Sequence, residues 1–380
     1  RFGHFVFTPD GGALATVGGD RGTELVAYDA DGKELWRFGP GKFPYPPAPV
    51  AGGGASVTFF SPERVWAAVR IGPGGKKTAD FGGLEPMSAS TLAPDGTTYV
   101  VRAGDLLALT PDMATRWSVR VGERADLRDP PHVTPSGTVV APGDKYAFGV
   151  EPTGKVLFKR ALKKGRVSMR SHSSVGTVIW SRDPGPEALA ASLVELINPA
   201  GKKVAAAKLK FVTDVEVVPE AGMLVVGAAK ADADPTAVLY AAAPAAGVKA
   251  GGVLWASAKT VGPGKVYDAG VGRGSGAVVF LSVESGKAGA PEVLALDGAG
   301  GGVRWRTAAP RPYVFVSDGS GEGPVFAAPV GGFRTLSRID ADAVSAPSVV
   351  LDDLNPTEAI PGPGGRVALR DGVTVRVYRP

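Results

Sequence analysis

The stretch Leu25 to Phe38, LVAYDADGKELWRF, decides how the rest of the chain is read. Leu25 and Ala27, then Lys33 and Leu35, alternate with their neighbours at the period of two that marks a half-buried strand. Between the two runs lies DADG (29–32). Asp-Gly is a strong hairpin signal, because glycine accepts positive φ and aspartate hydrogen-bonds its own turn. Trp36 then closes the second strand with a large apolar face.

The same grammar returns along the chain. We denote the strands of one unit A to D from first to last. The A–B turn is a Pro/Asp/Gly cluster, the C–D turn is Asp/Pro/Gly-rich, and strand D often carries Trp. TPDGG (8–12) opens the first unit, and LVAYDADGKELWRF supplies its C and D strands. APDG (93–96) precedes TTYVVR, LLALTPD and Trp117, and TPSG (134–137) precedes TVVAP, YAFGVEPTGK and VLFKR, with Phe158 in the Trp position. PEAG (219–222) leads to Trp255 and GRGSG (272–276) leads to Trp305. Weaker units cover 49–82, SSVG (173–176) onward and SDGSGEG (317–323) onward, and GPGG (362–365) begins a last unit of three strands. Starts recur at about 38–54 residues, the length of one four-stranded blade.

This pattern predicts an all-β chain: a single β-propeller over residues 1–380, built of four-stranded antiparallel blades. The count preferred is eight, with seven or nine admitted, since eight full units are followed by three further strands. The ring is expected to close between the N- and C-terminal strands, so loss of the last ~25 residues should open a sheet edge.

Composition agrees with many tight turns. Of 380 residues, 54 are Gly and 33 are Pro, spread at short intervals. There is no cysteine, which excludes disulfides, thiol catalysis and Cys-based zinc sites. A net charge of +5 argues against a dedicated nucleic-acid binder. The apolar run 237–258 is interrupted by Pro244 and Lys249, so it reads as strand, turn and strand and no transmembrane segment is expected. The chain starts at Arg1, so an upstream segment such as a signal peptide or lipid anchor is expected.

LVAYDADGKELWRF, LLALTPDMATRWSV, YAFGVEPTGKVLFKR and VLALDGAGGGVRWRT resemble the PQQ-like propeller repeat. The resemblance spans most of the chain in short matches. It implies the propeller fold. Its quinoprotein dehydrogenase branch holds PQQ and calcium beside paired cysteines, which this chain lacks. The bare repeats are more similar to the non-catalytic branch, which includes the scaffold lipoprotein of the outer-membrane β-barrel assembly machine. The resemblance therefore implies an extracytoplasmic protein: periplasmic, outer-membrane-associated or secreted.

No catalytic constellation is recognisable in the sequence. His4, His132 and His172 fall in or near A strands and read as isolated polar residues. DADG (29–32) resembles the start of a calcium loop, but the equivalent turns vary too freely for a metal site. GGKKT (74–78) and GVGRGSG (270–276) lack phosphate-loop spacing and read as turns. No catalytic residue, cofactor or metal is expected, and an enzyme is disfavoured without being dismissed.

One segment stands out. Residues 102–182 carry 14 Lys/Arg against 7 Asp/Glu. Clustered cations suit acidic partners. The expected function is a non-catalytic interaction scaffold that docks another protein of a cell-envelope or extracellular assembly, or an anionic surface, but not nucleic acid. The expected binding residues are Arg124, Arg128, Lys145, Arg166, Arg170 and Arg182, with Tyr45 of the loop FPYPP (43–47) as an aromatic anchor. The alternative is an enzyme or ligand-binding propeller, either a degenerate quinoprotein or carbohydrate-active, with its site on the central axis.

Overall fold

A computed structural model describes the whole chain except residues 1, 20–21, 124–129, 144, 162–165, 183–190, 199, 210, 231, 246, 286–288, 318–324, 331–334, 343–348, 351–357, 372–373 and 379–380. The chain divides into two compact units, one of residues 1–162 with 362–364 and 372–374, the other holding the remainder.

The first unit contains four sheets, each with strand order A-B-C-D. They are Phe2–Phe7, Ala13–Gly19, Gly22–Tyr28 and Glu34–Gly41; Ala48–Val50, Gly54–Phe60, Trp66–Ile71 and Lys77–Gly83; Thr91–Leu92, Thr98–Arg102, Asp105–Leu109 and Thr115–Arg120; and His132–Val133, Val139–Pro142, Tyr146–Val150 and Val156–Ala161. The second unit continues the pattern through five sheets. Their A strands are Arg166–His172, Phe211–Val218, Gly264–Gly274, Tyr313–Val316 and Glu358–Pro361. The last sheet has three strands and the other four have four.

Nine consecutive antiparallel sheets of this kind make the fold a β-propeller. The count lies within the range the sequence admits and one above its preferred value. The faint unit at 49–82 is a full sheet whose A strand has only three residues, and the three C-terminal strands form a sheet of their own.

Burial follows position in the sheet. Strands B and C are apolar on both faces, as in Thr98–Arg102 and Asp105–Leu109, because sheets stack face to face. Strand D alternates exposed and half-buried residues, as in Thr115–Arg120, because it lies at the outer edge. Within each unit the A strands of successive sheets touch one another.

The recurring Trp has a structural role. The indole Nε1 of Trp36 donates to Gly53 O at 3.1 Å, Trp117 to Pro152 O at 2.8 Å, Trp255 to Gly298 O at 3.0 Å, and Trp305 to Ala341 O at 2.9 Å. In each case the acceptor belongs to a turn of the next sheet. Gly75, Gly154 and Gly301 in those sheets' C–D turns adopt φ of +72°, +91° and +70°. A Cβ there would fall 2.8, 3.0 and 2.6 Å from Trp36, Trp117 and Trp255 respectively. Glycine is needed for both the backbone conformation and the close approach. The phosphate-loop lookalike at 74–78 is one of these turns. Between the second and third sheets the pairing differs: Ala79, opposite Arg70, stands where the other sheets have the indole, Met113, at φ +64°, stands in the glycine's place, and Met113, Ala79 and Phe81 belong to one apolar cluster.

Candidate functional site

The expected binding residues separate between the two units. Arg124 and Arg128 lie outside the described residues. In the first unit Lys145 is exposed in the B–C turn of the fourth sheet, and Tyr45 is half-buried. Its neighbour Phe43 turns inward and packs on Phe38 and Phe59, with ring centroids at 6.3 and 5.3 Å, so it belongs to the core. In the second unit Arg166 and Arg182 stand opposite one another across the A and B strands of the fifth sheet.

Arg170 lies on that A strand and is half-buried. Its Nη1 donates to Glu216 Oε2 at 2.6 Å, from a glutamate 5% exposed on the A strand of the sixth sheet. Two further carboxylates stand nearby on A strands, Asp214 and Asp268. Phe315 N donates to Asp268 Oδ2 at 2.6 Å. Burial, then the charge of Asp214, pushes the Asp268 carboxyl up to about 7, against backbone hydrogen bonds and Arg170, which pull it down. A carboxyl that exchanges its proton near neutrality can serve as a general acid or base. Among the described residues no group of three or more His, Asp or Glu could hold a metal ion. DADG (29–32) is a closed turn: Asp29 Oδ1 accepts from Asp31 N and Lys33 N.

The first unit has a cavity of about 660 Å³ along the A strands of the second and third sheets. Its wall is mainly proline and aliphatic, with Arg70 and Ser90 among the few polar side chains. Arg70 is 7% exposed. The sequence reading passed over it, although a lone cation in the apolar run VWAAVRI (65–71) is a signal in itself, since charged side chains are seldom fully buried unpaired.

A second surface feature of the first unit is the loop leaving strand D of the second sheet. Leu84 is 83% exposed there. Beside it the Arg102 guanidinium lies 4.3 Å from the centre of the Phe81 ring and 3.9 Å from Glu85.

No known family matches the chain, and no curated protein matches it. Solved structures do. A eukaryotic initiation factor aligns at 10% identity over 97% of this chain and 96% of that one, with a TM-score of 0.54. BamB from Moraxella catarrhalis aligns at 11% over 87% and 94%, with a TM-score of 0.45. Streptogramin B lyase aligns at 9% over 99% and 93%, with a TM-score of 0.46. Only the first is close enough to bear on the fold, and at that identity it bears on nothing else. Among the described residues no helix is long and apolar enough to cross a membrane.

Proposed function

We propose that the chain is a non-catalytic protein-interaction propeller, acting outside the cytoplasm, which docks a partner through the B–C and D–A loops of its first unit. The observation that carries this reading is Leu84, exposed at 83% on a loop held by Arg102. An exposed apolar side chain beside an arginine offers a partner one hydrophobic and one charged contact, and arginine is enriched at interface hot spots. Lys145 and, by sequence, Arg124 and Arg128 place cations in such loops, with Glu123, Asp126 and Asp129 beside the two arginines, so the fitting partner presents charges of both signs around an apolar pocket. The extracytoplasmic placement rests on the resemblance to the PQQ-like repeat.

Crosslinking and pull-down from the source cell's envelope test this. A partner captured by the intact chain should be lost with Leu84→Asp and weakened by charge reversal at Arg124 and Arg128. Capture that survives all three substitutions removes these loops as the docking surface. Absence of any partner would shift the reading to ligand binding.

A further inference from the structure

Arg70 lies on strand C of the second sheet and extends to the third, where its Nη2 donates to Gly96 O at 2.7 Å and to Thr98 Oγ1 at 3.0 Å. Both partners are neutral. Its Nε is buried and makes no hydrogen bond, and Arg70 forms no ion pair among the described residues. Burial alone pushes the guanidinium below its ordinary value. Taking an ion out of water costs several kcal/mol, and neutral acceptors recover only part of that. A water molecule could satisfy the spare N–H but not the charge.

Two more polar atoms near Arg70 lack partners. Ser90 Oγ, which lines the same cavity, is buried without a hydrogen bond. So is the hydroxyl of Ser56, which stands directly opposite Arg70 across strands B and C and projects from the same face. Opposite Ser56 in turn is Ala48 of the cavity wall. Three buried, unsatisfied polar atoms thus occur in and beside this cavity, two on residues of its wall and one on Ser56, opposite Ala48 of the wall. Native proteins rarely leave one such group without a reason.

We propose that this cavity binds a small apolar monocarboxylate, with the carboxylate set against Arg70 and the hydrocarbon body against the proline wall. One guanidinium matches one carboxylate in charge. A phosphate ester would need more donors than this wall offers, since Pro47, Pro49, Pro94, Pro130 and Leu92 contribute only apolar surface from their side chains. The volume of about 660 Å³ falls within the range of small-molecule sites. Rigid proline walls lose little entropy when a ligand packs on them. The site does not depend on the docking surface proposed above.

The test is titration calorimetry on the full chain with straight-chain fatty acids of medium length and with 4-phenylbutyrate. Their primary amides and inorganic phosphate serve as controls. At least one acid should bind saturably, its amide at least about tenfold more weakly, the loss expected when a charge-assisted contact becomes a neutral one. Phosphate should not compete. Arg70→Met should abolish binding with the circular dichroism spectrum unchanged. Arg70→Gln, which keeps an amide donor for Gly96 O, provides a second uncharged variant should the first fail to fold. Binding of no acid, equal binding of acid and amide, effective competition by phosphate, or full affinity in either folded Arg70 variant would overturn the proposal.

Discussion

Arg170 and Arg70 solve the same problem in different ways. Each is a cation on a sheet strand, half-buried in the second unit and almost fully buried in the first. Arg170 meets Glu216 at 2.6 Å, with Asp214 and Asp268 on neighbouring A strands. Arg70 meets a carbonyl and a hydroxyl. The second unit neutralises its buried charge with its own carboxylates, and the first unit does not. A buried ion pair is weak evidence for net stability, but removing one member is costly because the other is left behind. The contrast therefore predicts unequal responses to the same substitution.

The largest effect should come from Arg170→Met. It removes the arginine that pairs with Glu216, which is 5% exposed. The expected loss is about 3 kcal/mol in urea unfolding at pH 8. Adding Glu216→Gln in the same chain should restore most of it. A single variant within about 0.5 kcal/mol of the parent would mean that the pair is solvated and the contrast void.

A smaller effect, with a pH signature, belongs to Asp268. Its carboxyl titrates at about 7 in the folded chain, above its ordinary 3.8. Between those values the native state binds the extra proton, so stability falls as pH rises from about 4 to about 7 and then levels off. Asp268→Asn should therefore stabilise by about 2 kcal/mol at pH 8 and by almost nothing at pH 4. Arg170→Met should push the Asp268 titration higher still, because it removes a favourable charge. That shift, read by NMR, would tie the two groups into one network; an unchanged titration would separate them.

How much of this was visible in the sequence depends on where each signal is stored. Turns are local. Asp29 and Gly32 announce their hairpin because the φ of +82° and the Asx hydrogen bonds are set within four residues. Trp36, Trp117, Trp255 and Trp305 announce strand D for the same reason. The second sheet was faint because Ala79 and Met113 replace the usual Trp–Gly pair to the next sheet, and because its A strand is only Ala48–Val50. The site was less legible. Arg170 reads as part of a basic cluster, yet its partner lies 46 residues away on another sheet. Counting cations along a segment cannot tell a neutralised arginine from a free one. Phe43 looked like a surface aromatic within a proline loop, and only packing against Phe59 shows it belongs to the core. Arg70 carries one local clue, a charge in a central strand, but its lack of a counterion is a property of three sheets together.

The smallest effect should come from Arg70→Met, and it bears hardest on the comparison. The substitution removes two hydrogen bonds, each worth about 1 kcal/mol net. It also removes a desolvated charge whose burial costs several kcal/mol, and the methionine chain can fill part of the space. These terms oppose one another, so the change in unfolding free energy should stay within about 1 kcal/mol of zero, of either sign. Arg170→Met removes the same charge on the same stem and should lose at least about 2 kcal/mol more. If Arg70→Met instead costs 3 kcal/mol or more, the guanidinium is a structural clamp between the second and third sheets. The difference between the two arginines would then disappear. A near-neutral result would mean that the fold keeps a buried cation it does not need for stability, and such a group is the mark of a binding residue.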